Sequence, residues 1–188
     1  DFYYDDEEDF LPPVKENFQS SATRHWDLLH TRLDIGFDME MEYVLGEAEL
    51  TLTPYFYSQN EVVLDAKGMD LHGIMVNDKE AFFNYDGQQV TILLEEEVSR
   101  GENITVVVEY TAKPSELEMN TASDAIEDDR GLYFINARGE DPNKPTQIWT
   151  QGEPESNSVW FPTIDKPNER CTQEVFVTVD NRFVTLSN

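Results

Sequence analysis

The stretch TQGEPESNSVWFPTIDKPNERC, residues 150–171, decides how the rest of the chain is interpreted. Strand-like sequence leads into it and resumes at Thr172. Gln151 and Glu153 stand two positions apart, and residues two apart on a strand point to the same face. An amide and a carboxylate are therefore expected side by side. Pro162 and Pro167 each fix φ and remove a backbone donor, which favours a shaped loop after the pair rather than another strand.

Alternation of apolar and polar residues on both sides of this stretch is typical of β-strands. In residues 29–37, Leu29, Leu33 and Ile35 are predicted to lie on one face of a strand. A second alternating run, residues 39–52, is expected to form a hairpin with this strand and to shift its register at Gly46. Asp-Gly at residues 86–87 predicts another hairpin with a tight primed turn. Residues 183–186 are expected to return as a last strand after a turn. Since no long segment has a helical apolar period, the predicted fold is an all-β sandwich of mostly antiparallel strands.

Three short motifs give this pattern a family resemblance. Gln-x-Glu at residues 151–153, Phe-Pro at 161–162 and Asp-x-Pro at 165–167 together resemble the N-terminal domain of the zinc aminopeptidases, the group that contains aminopeptidase N and leukotriene hydrolase. HWDLLHTRLDIGFD (25–38) and GLYF (131–134) fit the same domain. The resemblance implies a saddle-like sandwich of the kind found at the N-terminus of leukotriene hydrolase.

The resemblance also implies a function. This chain would be the non-catalytic N-terminal domain of a zinc-dependent aminopeptidase that removes N-terminal residues from peptides, with the catalytic domain lying C-terminal to Asn188. Glu153 would accept a charge-assisted hydrogen bond from the free α-ammonium of a peptide, and Gln151 would help to shape the substrate pocket. Because an internal peptide segment lacks that charge, the contact would enforce cleavage from the end of the peptide.

Several positions depart from the family pattern. Many members carry Ala-Arg where this chain has Asn157 and Ser158, and a Cys where it has Thr163. The missing Arg is expected to weaken a local ion pair. In the leukotriene hydrolase branch the position of Glu153 is often Gln, so the carboxylate here favours aminopeptidase activity.

The chain alone lacks the sequence motif for zinc catalysis. A zinc peptidase needs His-Glu-x-x-His on a helix, and the three histidines, His25, His30 and His72, include no pair four residues apart. No turnover and no cofactor are expected in this chain, and zinc is expected in the missing catalytic domain. Cys171 has Arg170 beside it, which would lower the thiol pKa, but no nearby His completes a nucleophilic pair.

Charge and composition restrict the partners. A formal net charge of −26 disfavours nucleic acid and anionic membranes and attracts cationic ligands or peptides with free amines. No apolar run is long enough to predict a membrane span. We expect residues 1–23 to be a loosely ordered acidic arm and residues 24–188 to be the domain. Because the chain starts at Asp1 without Met, we also expect a trimmed, exported product in the periplasm or outside the cell.

Two other classes of function stay open. A stand-alone binding module would use Trp26, Trp149 and Trp160 to stack on sugars, although core packing competes for at least two of them. A structural or assembly domain would have no ligand at Glu153. A calcium site in the long connection at residues 113–130 is disfavoured, because its acids do not follow the alternation of a calcium loop; they are Asp124, Asp128 and Asp129.

Overall fold

A computed structural model describes residue 21 and residues 23–117 and 130–187. The acidic arm predicted for residues 1–23 lies almost entirely outside the described residues, and so do Asp124, Asp128 and Asp129. The interpretations of these segments therefore stay predictions.

The described residues are organised as β-strands joined by turns and loops. In chain order, the strands are β1 (Trp26–Asp38), β2 (Tyr43–Pro54), β3 (Gln59–Asp65), β4 (Met69–Val76), β5 (Lys79–Glu80), β6 (Phe83–Tyr85), β7 (Gln89–Val98), β8 (Ile104–Ala112), β9 (Leu132–Ile135), β10 (Gln147–Thr150) and β11 (Thr172–Thr178). A short 3₁₀ helix at Asn157–Val159 precedes β11.

These strands form two larger sheets and a ribbon. The six-stranded sheet has the order β11-β1-β2-β8-β4-β5, and the three-stranded sheet has the order β3-β7-β6. The ribbon pairs β9 with β10. The strand pairs are antiparallel except β1–β11, which is parallel. The six-stranded sheet is therefore mixed, and it places the strand that follows the focal stretch beside the first strand of the domain.

One apolar core lies between the two larger sheets. Leu50 and Leu52 of β2, Leu64 of β3 and Ile92 of β7 are all fully buried and belong to one continuous cluster. Each such side chain contributes about 1.5–3 kcal/mol relative to its exposed state. The predicted all-β sandwich is confirmed.

The first hairpin forms as predicted, but its register irregularity lies elsewhere. β1 and β2 pair antiparallel, with a bulge between Leu28 and His30 and an unbroken register through Gly46. Because of this bulge, Leu28 is buried and Leu29 is 36% exposed, so the prediction that Leu29 shares the face of Leu33 is wrong. The prediction of a register shift at Gly46 is also wrong.

Gly46 serves close packing instead of a bulge. A Cβ at this position would lie 2.7 Å from the hydroxyl oxygen of Tyr110, whose ring passes over the glycine. Tyr110 is only 1% exposed, so its ring cannot move out into solvent. The absence of a side chain at Gly46 therefore makes room for the largest buried residue of β8.

The other two hairpin predictions have different outcomes. β6 and β7 pair antiparallel around residues 86–87, as predicted. Within the Asp-Gly pair only Gly87 takes a positive φ, of 89°, and the Asp86 carboxylate accepts hydrogen bonds from the backbone N–H groups of Gln88 and Gln89. The turn is therefore not the tight primed type. Residues 183–186 form no strand, and β11 pairs instead with β1.

Candidate functional site: the loop after β10

The chain leaves the ribbon before it reaches Gln151 and Glu153. β10 ends at Thr150, residues 153–156 form a turn, and the 3₁₀ helix follows. Pro154, which is joined to Glu153 by a cis peptide bond, has no N–H with which to continue a ladder. The prediction that Gln151 and Glu153 share a strand face is therefore wrong, although both side chains are exposed.

Gly131, the residue before β9, packs against this loop. The Gln151 N–H donates to the Gly131 carbonyl at 2.8 Å. Gly131 has a φ of +68°, and a Cβ there would lie 1.8 Å from the carbonyl oxygen of Ser156. The loop therefore lies directly on the glycine of the Gly-Leu-Tyr-Phe sequence, at a spacing that only glycine allows.

Two lysines contact Glu155, one at its backbone and one at its side chain. The Lys67 ammonium donates to the Glu155 carbonyl oxygen, and the Lys166 ammonium donates to the Glu155 carboxylate at 2.9 Å. Lys166 also lies 3.6 Å from the Asp65 carboxylate, which is itself nearly buried. Glu155 is therefore committed to the scaffold and is not free for a ligand.

The end of β3 anchors the far side of the loop. Asp65 and Thr163 exchange two backbone hydrogen bonds, at 2.8 and 3.0 Å. The Asp65 carboxylate accepts from the Gln89 amide at 2.8 Å and from the Asp165 N–H at 3.0 Å. Asp65 thus joins β7 to the loop, and the Pro-x-x-Asp-x-Pro segment is fixed rather than mobile.

Asp165 is the buried carboxylate of the loop. It is 6% exposed, and it accepts hydrogen bonds from the Ser158 N–H at 2.8 Å and from the Asn157 amide at 3.5 Å. Burial raises the pKa of Asp165 above its ordinary value, although the hydrogen bond from Ser158 opposes this shift. Neutral donors from Asn157 and Ser158 thus contact this carboxylate.

Glu153 faces a broad cavity. The cavity encloses about 1780 Å³, and its walls include Ile35 and Phe37 of β1 and Val175 and Val177 of β11. Gln151 is not among the described residues that line it. Within the described part of the chain, no side-chain hydrogen bond or ion pair engages the Glu153 carboxylate. The structure thus places Glu153 at the cavity and leaves Gln151 outside its walls.

Sequence reasoning missed the residues that hold the loop. Asp65, Lys67 and Gly131 are distant from Glu155 and Ser156 in the chain, and each contact depends on the folded topology. The local signals were the Asp-x-Pro motif at Asp165 and the Gly-Leu-Tyr-Phe sequence at Gly131, both of which were selected by resemblance and not by their partners.

Three of the polar groups considered for catalysis, His30, His72 and Cys171, make structural contacts. Burial raises the pKa of the Cys171 thiol, so the prediction that Arg170 lowers it is wrong. His30 and His72 each contact a threonine hydroxyl at 2.8 Å. No cluster of three or more His, Cys, Asp or Glu residues in the described segments is arranged to hold a metal ion.

The tryptophans divide between core and surface. Trp26 and Trp160 are 3% and 7% exposed, whereas Trp149 is 46% exposed and stacks on Tyr133 with ring centroids 4.6 Å apart. Core packing therefore accounts for two of the three, which weakens the sugar-binding alternative. Among the described residues, no helix has the length and apolar character needed to cross a membrane.

Comparison with protein families gives a match over almost the whole chain. The model of the peptidase M1 N-terminal domain matches residues 22–188. Two curated relatives are named transcription initiation factor TFIID subunit 2. The protein from Danio rerio is 28% identical over 88% of this chain and 16% of its own length, and that from Gallus gallus is 25% identical over 89% and 17%. This chain thus spans about a sixth of these relatives.

Solved structures of similar fold are M1 metallopeptidases. A two-domain M1 zinc metallopeptidase bound to L-arginine superposes with a TM-score of 0.69 at 22% identity, over 88% of this chain and 35% of that chain. The M1 zinc metallopeptidase from Deinococcus radiodurans gives 0.67 at 20% identity, over 85% and 34%. Native yeast LTA4 hydrolase gives 0.62 at 17% identity, over 84% and 23%. At these identities the likeness shows the fold.

Proposed function

Because the chain belongs to the peptidase M1 N-terminal domain family, we propose that it is the non-catalytic first domain of a longer zinc aminopeptidase. In this proposal, Glu153 binds the free α-amino group of a peptide substrate and Gln151 lies beside the bound substrate. The catalytic domain follows Asn188 and supplies the zinc and its ligands.

The observation that carries the proposal is the state of the Glu153 carboxylate. It is exposed at the edge of a cavity of mixed polar and apolar lining and has no ion-pair partner among the described residues, while Glu155 and Asp165 in the same loop are engaged. A carboxylate held on a fixed loop is suited to bind an ammonium group by a charge-assisted hydrogen bond. The contact would strengthen once a second domain excludes water from the cavity.

The exposed face of β11 supports the presence of a following domain. Val175 and Val177 lie opposite the buried residues Leu33 and Ile35 of β1, yet they are 39% and 38% exposed. The apolar face of the sheet thus continues onto a strand that the described residues cover only in part. Since this chain spans only about a third of the two-domain metallopeptidase, we infer that the rest of the protein packs on this face.

A second candidate is an assembly domain in a protein that is not a peptidase. The names of the curated relatives favour it, because both are subunits of a transcription initiation factor. The scaffold around the loop would serve either role equally well. The candidates differ in what Glu153 does, since an assembly domain needs no ligand at that carboxylate.

The test uses the full-length product of the same gene, with its zinc content measured. Glu153→Ala should lower kcat/KM for free-amine peptides by about 10²-fold, as expected for the loss of a charge-assisted contact of ~3 kcal/mol. N-acetylated peptides, which have no α-ammonium, should be poor substrates of both the variant and the unaltered enzyme. Glu140→Ala, an exposed acid in the loop between β9 and β10, is the matched control and should be neutral.

Two outcomes would reject the proposal in different ways. If Glu153→Ala cleaves free-amine peptides as the unaltered enzyme does, the role of Glu153 is wrong while the peptidase assignment stands. If the folded full-length protein binds no zinc and cleaves no peptide, the assembly role replaces the peptidase.

A further inference from the structure

An apolar patch lies on the outer face of the three-stranded sheet, away from the core. Along β3 and β7, alternate side chains enter the core and the others face outward. Among the outward residues, Val63 is 38% and Leu93 is 47% exposed, and Phe82, just before β6, is 86% exposed. We call Val63, Phe82 and Leu93 the outer patch.

Strand register brings these residues together. Leu93 lies opposite Glu61 on one side, and on the other side its N–H donates to the Phe82 carbonyl at 2.9 Å. Val63 lies in the next row, opposite Thr91. Neighbouring rows on one face of a sheet place side chains within reach of each other, so the three residues form one surface.

The same face is covered at its other end. There Asp65 is 8% exposed beneath the loop of residues 163–166, and the Gln89 side chain donates to its carboxylate. No comparable segment of the described chain lies over the outer patch. Single exposed apolar residues are ordinary, but adjacent ones on an uncovered sheet face indicate an interaction surface.

The charges around the patch indicate what binds it. Glu61 stands in the row of Leu93, and Glu95 and Glu97 are exposed farther along β7, where its pairing with β3 is irregular. Lys79 neutralises one of them through its 3.0 Å contact with Glu95. The rim therefore keeps an excess of negative charge beside an exposed aromatic ring, and both features attract a cation.

We propose that the outer patch binds a basic, extended segment of a partner protein, independently of the function proposed for Glu153. An Arg or Lys of the partner lies between Glu61 and the ring of Phe82 with its apolar stem over Leu93, and an apolar residue packs on Val63. A second copy of this chain fits the patch poorly, because it would bring the same acidic rim and a formal charge of −26.

The test titrates this chain with a blocked peptide of alternating arginine and leucine, acetylated at its N-terminus so that it offers no α-ammonium. Backbone amide resonances near Val63 and Leu93 should shift saturably. Phe82→Ser and Glu61→Gln should each weaken binding about fivefold or more, as losing a cation–π or charge contact of about 1 kcal/mol predicts. An alternating glutamate–leucine peptide should not bind.

Leu45→Ser is the matched control, because Leu45 is 50% exposed beside Glu47 on the outer face of the six-stranded sheet. It should bind the basic peptide as the unaltered chain does. Equal affinities for Leu45→Ser and Phe82→Ser would overturn the proposal in favour of nonspecific charge attraction. Self-association abolished by Phe82→Ser would overturn it in favour of a second copy.

Discussion

Gly131→Ala tests whether the start of β9 positions the loop that carries Glu153. The substitution adds one methyl group at a residue with a φ of +68°. That methyl would lie 1.8 Å from the Ser156 carbonyl oxygen, whereas real Cβ atoms essentially never come closer than 3.0 Å to another atom. Either the loop or β9 must therefore move by more than one ångström.

The cost has two parts that other glycines separate. A positive φ costs an L-residue about 1–2 kcal/mol. Forcing a side chain into occupied space adds about 1–3 kcal/mol. Gly87 has a φ of +89° and no atom within 4 Å of an added Cβ, so Gly87→Ala introduces only the strain at positive φ. Gly73 has neither a positive φ nor an atom within 4 Å of an added Cβ, so Gly73→Ala introduces neither strain nor a clash. The expected losses of unfolding free energy are thus about 2–5 kcal/mol for Gly131→Ala, about 1–2 for Gly87→Ala and none for Gly73→Ala.

Denaturant unfolding of the three variants measures these losses directly. In thermal unfolding, each kcal/mol corresponds to a Tm change of about 2–4 °C for a chain of this size. A Gly131→Ala variant no less stable than Gly87→Ala would refute the packing of the loop on β9, because the strain at positive φ would then explain the whole effect. Gly73→Ala is the control, because it shows whether any glycine-to-alanine substitution lowers the unfolding free energy.

Two further substitutions test buried polar groups. Burial raises the pKa of Asp165, so the folded state holds its proton to higher pH than the unfolded state, and the contribution of Asp165 to stability falls as pH rises through the unfolded and then the folded pKa. Asp165→Asn should remove this fall, and denaturation of the variant and the unaltered chain from pH 4 to pH 7 will measure it. A difference in unfolding free energy that stays constant with pH would contradict the prediction. The hydroxyl of Tyr110 is buried without a hydrogen-bond partner in the described residues, so Tyr110→Phe should raise the unfolding free energy by about 1 kcal/mol, and a destabilised variant would indicate a partner for that hydroxyl.

The alternation in the sequence was sufficient to predict most of the strands and the fold class, but it also predicted a strand at residues 183–186 that does not form, and it did not show where the register shifts. Gly46 resembled a bulge because glycine is common at bulges, yet the structure uses it to admit the ring of Tyr110. The bulge lies instead between Leu28 and His30, among ordinary residues. Both outcomes depend on what the opposite strand presents, which one strand's sequence does not contain.

The candidate site shows a similar division. The motif and its resemblance were sufficient to select Gln151 and Glu153, but the strand geometry expected for them was wrong because β10 ends at Thr150, before both residues. The contacts that fix the loop join residues far apart in the chain, as in the hydrogen bond from the Asp165 N–H to Asp65, across 100 positions. Such pairs have no local spacing rule, so they emerge only from the folded sheet.

The arrangement of carboxylates along the loop favours a binding role for Glu153 over a structural one. Glu155 pairs with Lys166, Asp165 accepts from the backbone of Ser158, and Glu169 accepts from the Arg24 guanidinium at 2.8 Å. Each of these acids has partners that a scaffold requires. Glu153 stands in the same loop, exposed at the cavity and unpaired within the described residues. A scaffold gains nothing from that carboxylate, whereas a cationic ligand would bind it without first displacing a protein partner.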